Sequence, residues 1–228
     1  MTEPVILVDD HSLFAQSVQI GLRAAGIRAE RVPPTSAADI ERACAAAAPA
    51  TVLLDLRLGT GVDGVPIDGL DLVGPVTAAG CRVVVVTGET GDGTWGTAVE
   101  RGAVTVLPKD TGLDDLLQVV TAVREGRPVL SEGRRQDLLA AARRARAEEN
   151  ARLAPFRQLS AREGEVLRCL ATGMPAATIA ATAHVSEATV RTQIRAVLTK
   201  LEVTSQLQAV ALARRSGWLD LPGATPVT

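Results

Sequence analysis

Three runs of apolar residues in the first half of the chain each end on a polar residue: Val5–Asp9 (VILVD), Thr51–Asp55 (TVLLD) and Arg82–Thr87 (RVVVVT). Unbroken apolar runs, mostly β-branched, have no side to give to solvent and read as strands buried on both faces. Helical segments stand between them: 12–25, capped by Ser12 and ended by Gly26, the Ala-rich 36–48, and 68–79. Arg28–Val32, a short edge strand, and Val104–Leu107 add two more strands. A helix holding Ala98–Arg101, whose start the pattern does not fix, and a last one at Leu113–Glu125 complete five βα units. That alternation calls for a five-stranded, doubly wound parallel sheet covered by helices on both faces, an α/β fold over residues 1–127.

The pattern changes after residue 127. Ser131–Arg152 is rich in Arg, Ala and Glu, with no Pro or Gly after Gly133, and Pro155 marks its end; residues 128–157 read as a helical linker. From 158 to 220 the chain is wholly helical, with segments at 160–172, 176–183, 186–200 and 204–216, a small all-α four-helix domain; 221–228 is a tail. Charge divides the same way. Residues 1–127 hold 10 Lys and Arg against 17 Asp and Glu, and residues 128–228 hold 14 against 9, so an acidic half is joined to a basic one. No apolar run approaches the roughly 20 residues of a membrane span. The first strand starts within a few residues of Met1, past Glu3, which argues against a signal peptide. The three cysteines, Cys44, Cys81 and Cys169, lie far apart and read as reduced thiols. Together these features point to the cytoplasm and to no membrane partner.

Ligands of open α/β sheets bind beyond the carboxyl ends of the strands. There the sequence places Asp9 and Asp10, Asp55, Thr87 and, after the last strand, Lys109. Three converging carboxylates need a cation, and an all-oxygen site suits Mg²⁺. Lys109 supplies a point charge for a phosphoryl group, Thr87 a hydroxyl, and an Asp can attack phosphorus. A capping role explains any one of the aspartates but poorly explains all three. His11 reads as a partly exposed loop residue beside the site rather than a ligand, and Asp63 and Asp68 as loop charge and cap.

On these residues, in this order and each at a strand end, 1–127 resembles a CheY-like receiver domain of a two-component response regulator. The resemblance implies that Asp55 is the phosphoacceptor. Asp10, Asp9, Asp55 and the backbone carbonyl of Arg57 would hold Mg²⁺, with Thr87 and Lys109 engaging the phosphoryl group. Two departures stand out. Val106 occupies the position, three residues before the lysine, where the family usually carries an aromatic or His switch. The loop after the acceptor, LRLGTGVDGVPIDG, is long and Gly-rich, and its glycines favour mobility. GETGDGTWG (88–96) is poor helix material, with Trp95 as an intrachain packing anchor.

In the second half, Ser160 with Glu163 fits a capping box, and Val166, Leu167 and Leu170 form a helical stripe. Ala176–Ala183, the turn His184–Ser186, and a helix with Val190, Ile194, Val197, Leu198 and Leu201 on one face make a helix-turn-helix. LSAREGEVL, IAATAHVSEATVRTQI and KLEVTSQLQAV closely resemble the LuxR-type (NarL/FixJ class) DNA-binding domain. By that resemblance Arg191, Thr192 and Arg195 face bases and phosphates, and Ser186, Thr189 and Lys200 the DNA backbone. The second helix is less polar than usual, Gln193 stands where His is frequent and Gln206 where Arg is common, which predicts weak binding by a monomer. Trp218 is expected to pack on the bundle end.

The reading is a bacterial DNA-binding response regulator controlling transcription. A sensor histidine kinase is its partner, promoter DNA its target, and a homodimer its active form. It has no enzymatic activity beyond turnover of its own aspartyl phosphate. One alternative is an atypical regulator controlled by a ligand or protein rather than by phosphorylation. Another is an Asp-nucleophile phosphohydrolase, which would want an acid where Arg57 stands.

Overall fold

The three apolar runs form the centre of a sheet. In the computed structural model, which describes residues 3–221, β1 (Val5–Val8) is followed by α1 (Ser12–Ala24), β2 (Ala29–Arg31), α2 (Ala37–Ala47) and β3 (Thr51–Leu54). Next come β4 (Arg57–Thr60), β5 (Pro66–Asp68), α3 (Gly69–Ala78), β6 (Arg82–Thr87), α4 (Asp92–Glu100), β7 (Thr105–Pro108) and α5 (Leu113–Arg124). The main sheet is parallel throughout, in the order β2-β1-β3-β6-β7, with Val5 beside Thr51, Leu54 beside Val85, and Val85 beside Val106. Burial explains the absence of alternation: every residue of β1 and β3 is buried. One face packs on α1 and α5 through Val18, Leu22, Leu116 and Val120, the other on α2, α3 and α4 through Ile40, Val73 and Val99.

Three local expectations are corrected. Ser12 does not cap α1: it is the first helical residue, and the cap position is His11, whose amide donates to Asp9 Oδ1 at 2.7 Å and so fixes the turn one residue earlier. The Gly-rich stretch after Asp55 is an antiparallel hairpin, β4 on β5, because Leu58 and Ile67 insert into the core while the Val62 amide donates to the Thr35 carbonyl at 2.8 Å. Helix α4 starts at Asp92, inside the segment judged poor helix material. Asp68 is a cap, as expected, and Asp63 Oδ1 accepts from the Val65 amide within the hairpin turn.

A long helix α6 (Glu132–Leu153) follows, and two compact units divide inside it, between Ala145 and Arg146. Its first half belongs to the sheet-bearing unit, where Leu138 joins the core beneath α4. The second unit holds a 3₁₀ turn (Ala154–Gln158), α7 (Ala161–Ala171), α8 (Ala176–Thr182), α9 (Glu187–Lys200) and α10 (Gln206–Arg215). The expected tail lies, beyond Leu221, outside the described residues. Ser160 and Glu163 form the expected capping box, and Ser186 caps α9. Trp218 stacks on Phe156 at 5.1 Å between centroids and lies under the Arg168 guanidinium. No helix among the described residues is long and apolar enough to cross a membrane.

Candidate functional site

Parallel strands in register bring their carboxyl ends to one edge. β1 delivers Asp9, β3 Asp55, β6 Thr87 and β7 Lys109, the last fixed by its amide donating to the Thr87 carbonyl at 2.9 Å. The strand order reverses direction between β1 and β3, which is where a ligand crevice forms in such sheets. Asp9, Asp55 and Thr87 are buried, while Asp10 is exposed at the mouth. Gly69 closes the floor: a Cβ there would lie 1.9 Å from the Asp55 carbonyl oxygen, so only glycine lets α3 start this close to the acidic strand end.

One cation serves two carboxylates. Lys109 Nζ donates to Asp55 Oδ2 at 2.7 Å and sits 2.9 Å from Asp9 Oδ2. Burial works to lower the Lys109 ammonium's pKa, but its hydrogen bonds to Asp55 and Asp9 outweigh that and hold it above the ordinary value. Desolvation by burial pushes Asp9 above the ordinary carboxylate range, against the pull of Lys109. Ligand atoms of Asp9, Asp10, His11 and Asp55 lie within 4.8 Å of one another. His11, expected beside the site, enters the cluster: its Nδ1 is 2.6 Å from Asp10 Oδ1 and 3.1 Å from Lys109 Nζ.

The donor set fits a hard divalent cation. Asp55 Oδ1 is buried with no hydrogen-bond partner among the described residues, an arrangement costly to maintain unless something positive meets that oxygen. Arg57 begins β4 just past Asp55, and its side chain pairs at the surface with Glu89. Thr87 Oγ1 accepts from the Glu89 amide at 3.1 Å. Val106 is buried in the core shared with Val85 and Leu138.

In the second unit Ser186, Thr189, Arg191, Thr192 and Arg195 are all exposed at the start of α9 or along it. Val190, Ile194 and Val197 fill its buried face. His184, at φ +53°, makes the tight turn between α8 and α9. Arg191 pairs with Glu187 one turn earlier at 2.6 Å. Lys200 differs from the others: it is half-buried, and its Nζ donates to Glu163 Oε2 at 2.6 Å. That bond and the Ser160 amide hold the Glu163 carboxyl below its ordinary range. No sequence pattern links residues 163 and 200, and the pair went unforeseen.

Comparison with known proteins agrees with both halves. The family of response regulator receiver domains matches residues 5–121, and the luxR family of bacterial regulatory proteins matches residues 157–213. The nitrate/nitrite response regulator NarL of Escherichia coli K12 is 30% identical over 206 residues, covering 90% of this chain and 92% of its own. FixJ, a transcriptional regulatory protein of Azorhizobium caulinodans, is 31% identical over 235 residues, covering 98% and 97%. A nitrate/nitrite response regulator homologue of Haemophilus influenzae is 29% identical over 210 residues, covering 91% and 94%. A receiver fold with its acidic strand ends, followed by a LuxR-type helix-turn-helix, makes this chain a member of the NarL/FixJ class of DNA-binding transcriptional response regulators.

Proposed function

We propose that Asp55 accepts a phosphoryl group from a sensor histidine kinase, and that this switches DNA binding by the second unit. The observation that carries the reading is the buried Asp55 carboxylate, with Oδ2 on Lys109 and Oδ1 unpartnered. Asp10, Asp9, Asp55 and the Arg57 carbonyl hold Mg²⁺, which when bound neutralises charge on the incoming phosphoryl oxygens. The Asp55 carboxylate attacks phosphorus. A P–O bond forms as the donor's bond to phosphorus breaks, and the departing group leaves with the electron pair and takes its proton from solvent. Lys109 then pairs with a phosphoryl oxygen, and Thr87 donates its hydroxyl to another. Turnover of the aspartyl phosphate is the protein's own only chemistry.

On α9, Arg191, Thr192 and Arg195 read bases and phosphates in the major groove, while Ser186 and Thr189 contact the backbone and Lys200 does so more weakly, because it shares its charge with Glu163. So few cations bind weakly as a monomer, so the active form is a homodimer on half-sites about one turn (~10 bp) apart. The working compartment is the cytoplasm. The domain limits that match this division of labour are 1–127 for the receiver, 128–157 for the linker and 158–220 for the DNA-binding domain.

The test is intact mass after incubation with Mg²⁺ and acetyl phosphate. The expected result is a gain of one phosphoryl group that Asp55→Asn abolishes. No gain with either small donors or kinases would transfer the weight to control by a ligand or protein, the reading that Val106 at the usual switch position favours.

A further inference from the structure

We propose that Trp95 couples the Asp55 site to helix α6, and that α6 stays seated on α4 until the site is phosphorylated; the inference rests on the phosphoacceptor reading above. Val106 cannot do this work. It is a buried β-branched residue, nearly fixed at χ1 and without a polar atom, so it has no second arrangement in which to make a new bond.

A different route leads out of the site. The Glu89 amide donates to Thr87 Oγ1, the Glu89 carboxylate pairs with Arg57 two residues past the acceptor, and the Glu89 carbonyl accepts from Trp95 Nε1 at 2.9 Å. The loop between β6 and α4 is thus tied to the start of β4, two residues past the acceptor, on one side and to an indole on the other. Trp95 is half-buried, and its ring packs against the core that contains Val106 and Leu138. When Thr87 turns its hydroxyl to a phosphoryl oxygen, its contact with the Glu89 amide changes, and the indole bonded to the same residue moves with it.

Beyond Trp95 the packing leaves no slack. Gly93 and Gly96 flank it on α4. A Cβ on Gly96 would come 1.9 Å from the Leu138 carbonyl oxygen, and one on Gly93 2.9 Å from the Ala145 Cβ. Leu138 and Ala142 of α6 are buried there, and Arg134 makes two hydrogen bonds to Asp92, at 2.9 and 2.7 Å. Exposed ion pairs contribute little, so the seat depends on close backbone packing. Dispersion contacts weaken sharply over fractions of an ångström, and at Gly96 the α6 backbone meets α4 with no α4 side chain between them to absorb a shift. Displacement of α4 therefore unseats α6, and α6 runs without interruption past Ala145, where the second unit begins.

Amide hydrogen exchange of residues 134–145, read by mass spectrometry on the full chain, tests this. Acetyl phosphate with Mg²⁺ should raise exchange there roughly five- to tenfold, the size of effect expected from losing about one hydrogen bond's worth of protection. Trp95→Phe keeps the apolar ring and removes the N–H donor. It should take up the phosphoryl group equally, by intact mass, while its α6 exchange no longer responds. Gly93→Ala, which leaves Trp95 in place, should raise α6 exchange without any phosphoryl group. Phosphorylated wild type with unchanged α6 exchange overturns the proposal, as does a Trp95→Phe variant that responds like wild type. Absence of any mass gain, with acetyl phosphate and with kinases alike, instead overturns the phosphoacceptor reading, and the proposal with it.

Discussion

The chain has two lysines, one in each unit, and each is bound to carboxylate. Lys109 faces two aspartates, Asp9 and Asp55, and desolvation by burial, with a smaller push from the Asp55 charge, holds Asp9 above the ordinary carboxylate range. Lys200 faces one glutamate that also accepts from the Ser160 amide, and that carboxyl falls below its ordinary range. The same kind of pairing, lysine with carboxylate, therefore does opposite things. Around Lys109 the surplus leaves a place for a further cation. Around Lys200 the charges balance, the capping box at the start of α7 is tied to the end of α9, and little of the lysine's charge is left over for DNA.

The largest effect should come from Lys109→Met. In EDTA it leaves buried aspartates facing one another without a cation and should cost about 3 kcal/mol. Unfolding followed through Trp95, in a Trp218→Phe background, reads this unit alone. Millimolar Mg²⁺ should restore much of the loss, and a loss that Mg²⁺ does not touch breaks the surplus-charge reading.

Glu163→Gln should cost less, about 1–2 kcal/mol for the cap and the Lys200 bond together, with no response to Mg²⁺. Trp218 reports that unit in a Trp95→Phe background.

The pH responses should have opposite signs. Asp9, with its folded pKa raised, binds its proton more tightly folded than unfolded. Its contribution is present at low pH and is lost as pH rises from about the ordinary value, 3.8, through the folded one. Glu163, with its folded pKa lowered from 4.5, contributes above that value and loses its contribution as pH falls through the folded one. Asp9→Asn and Glu163→Gln should each flatten one of these slopes, and slopes of the same sign would dissolve the contrast.

The smallest effect separates cations on α9. Arg195→Ala should reduce the salt slope of DNA binding by about one unit, and Lys200→Ala by clearly less. Equal reductions would mean that Glu163 releases Lys200 on DNA.

The same two regions show what a linear pattern can carry. The sheet was legible because β1, β3 and β6 are too apolar to be anything but buried strands, and the acidic edge followed because Asp9, Asp55 and Thr87 lie at their ends. The α9 stripe of Val190, Ile194 and Val197 was legible for the same reason of period. The hairpin was not, because its two core residues, Leu58 and Ile67, sit nine positions apart among glycines. Nor was the start of α4, where glycine weakens the helix locally and is retained for an approach to α6 that only the folded chain reveals. The Lys200–Glu163 bond joins residues with no periodic relation, and its role as a structural tie had no linear signal.

The split membership of α6 sets the limits of modularity in this molecule. Receiver and output domains invite exchange between relatives, and the obvious joint is the end of α5. A chimaera cut there would discard Leu138 and Ala142 and leave the glycine face of α4 bare, whereas a cut after Ala145 would carry the whole seat along with the receiver. What can be transplanted as one part is therefore the receiver with half a helix attached.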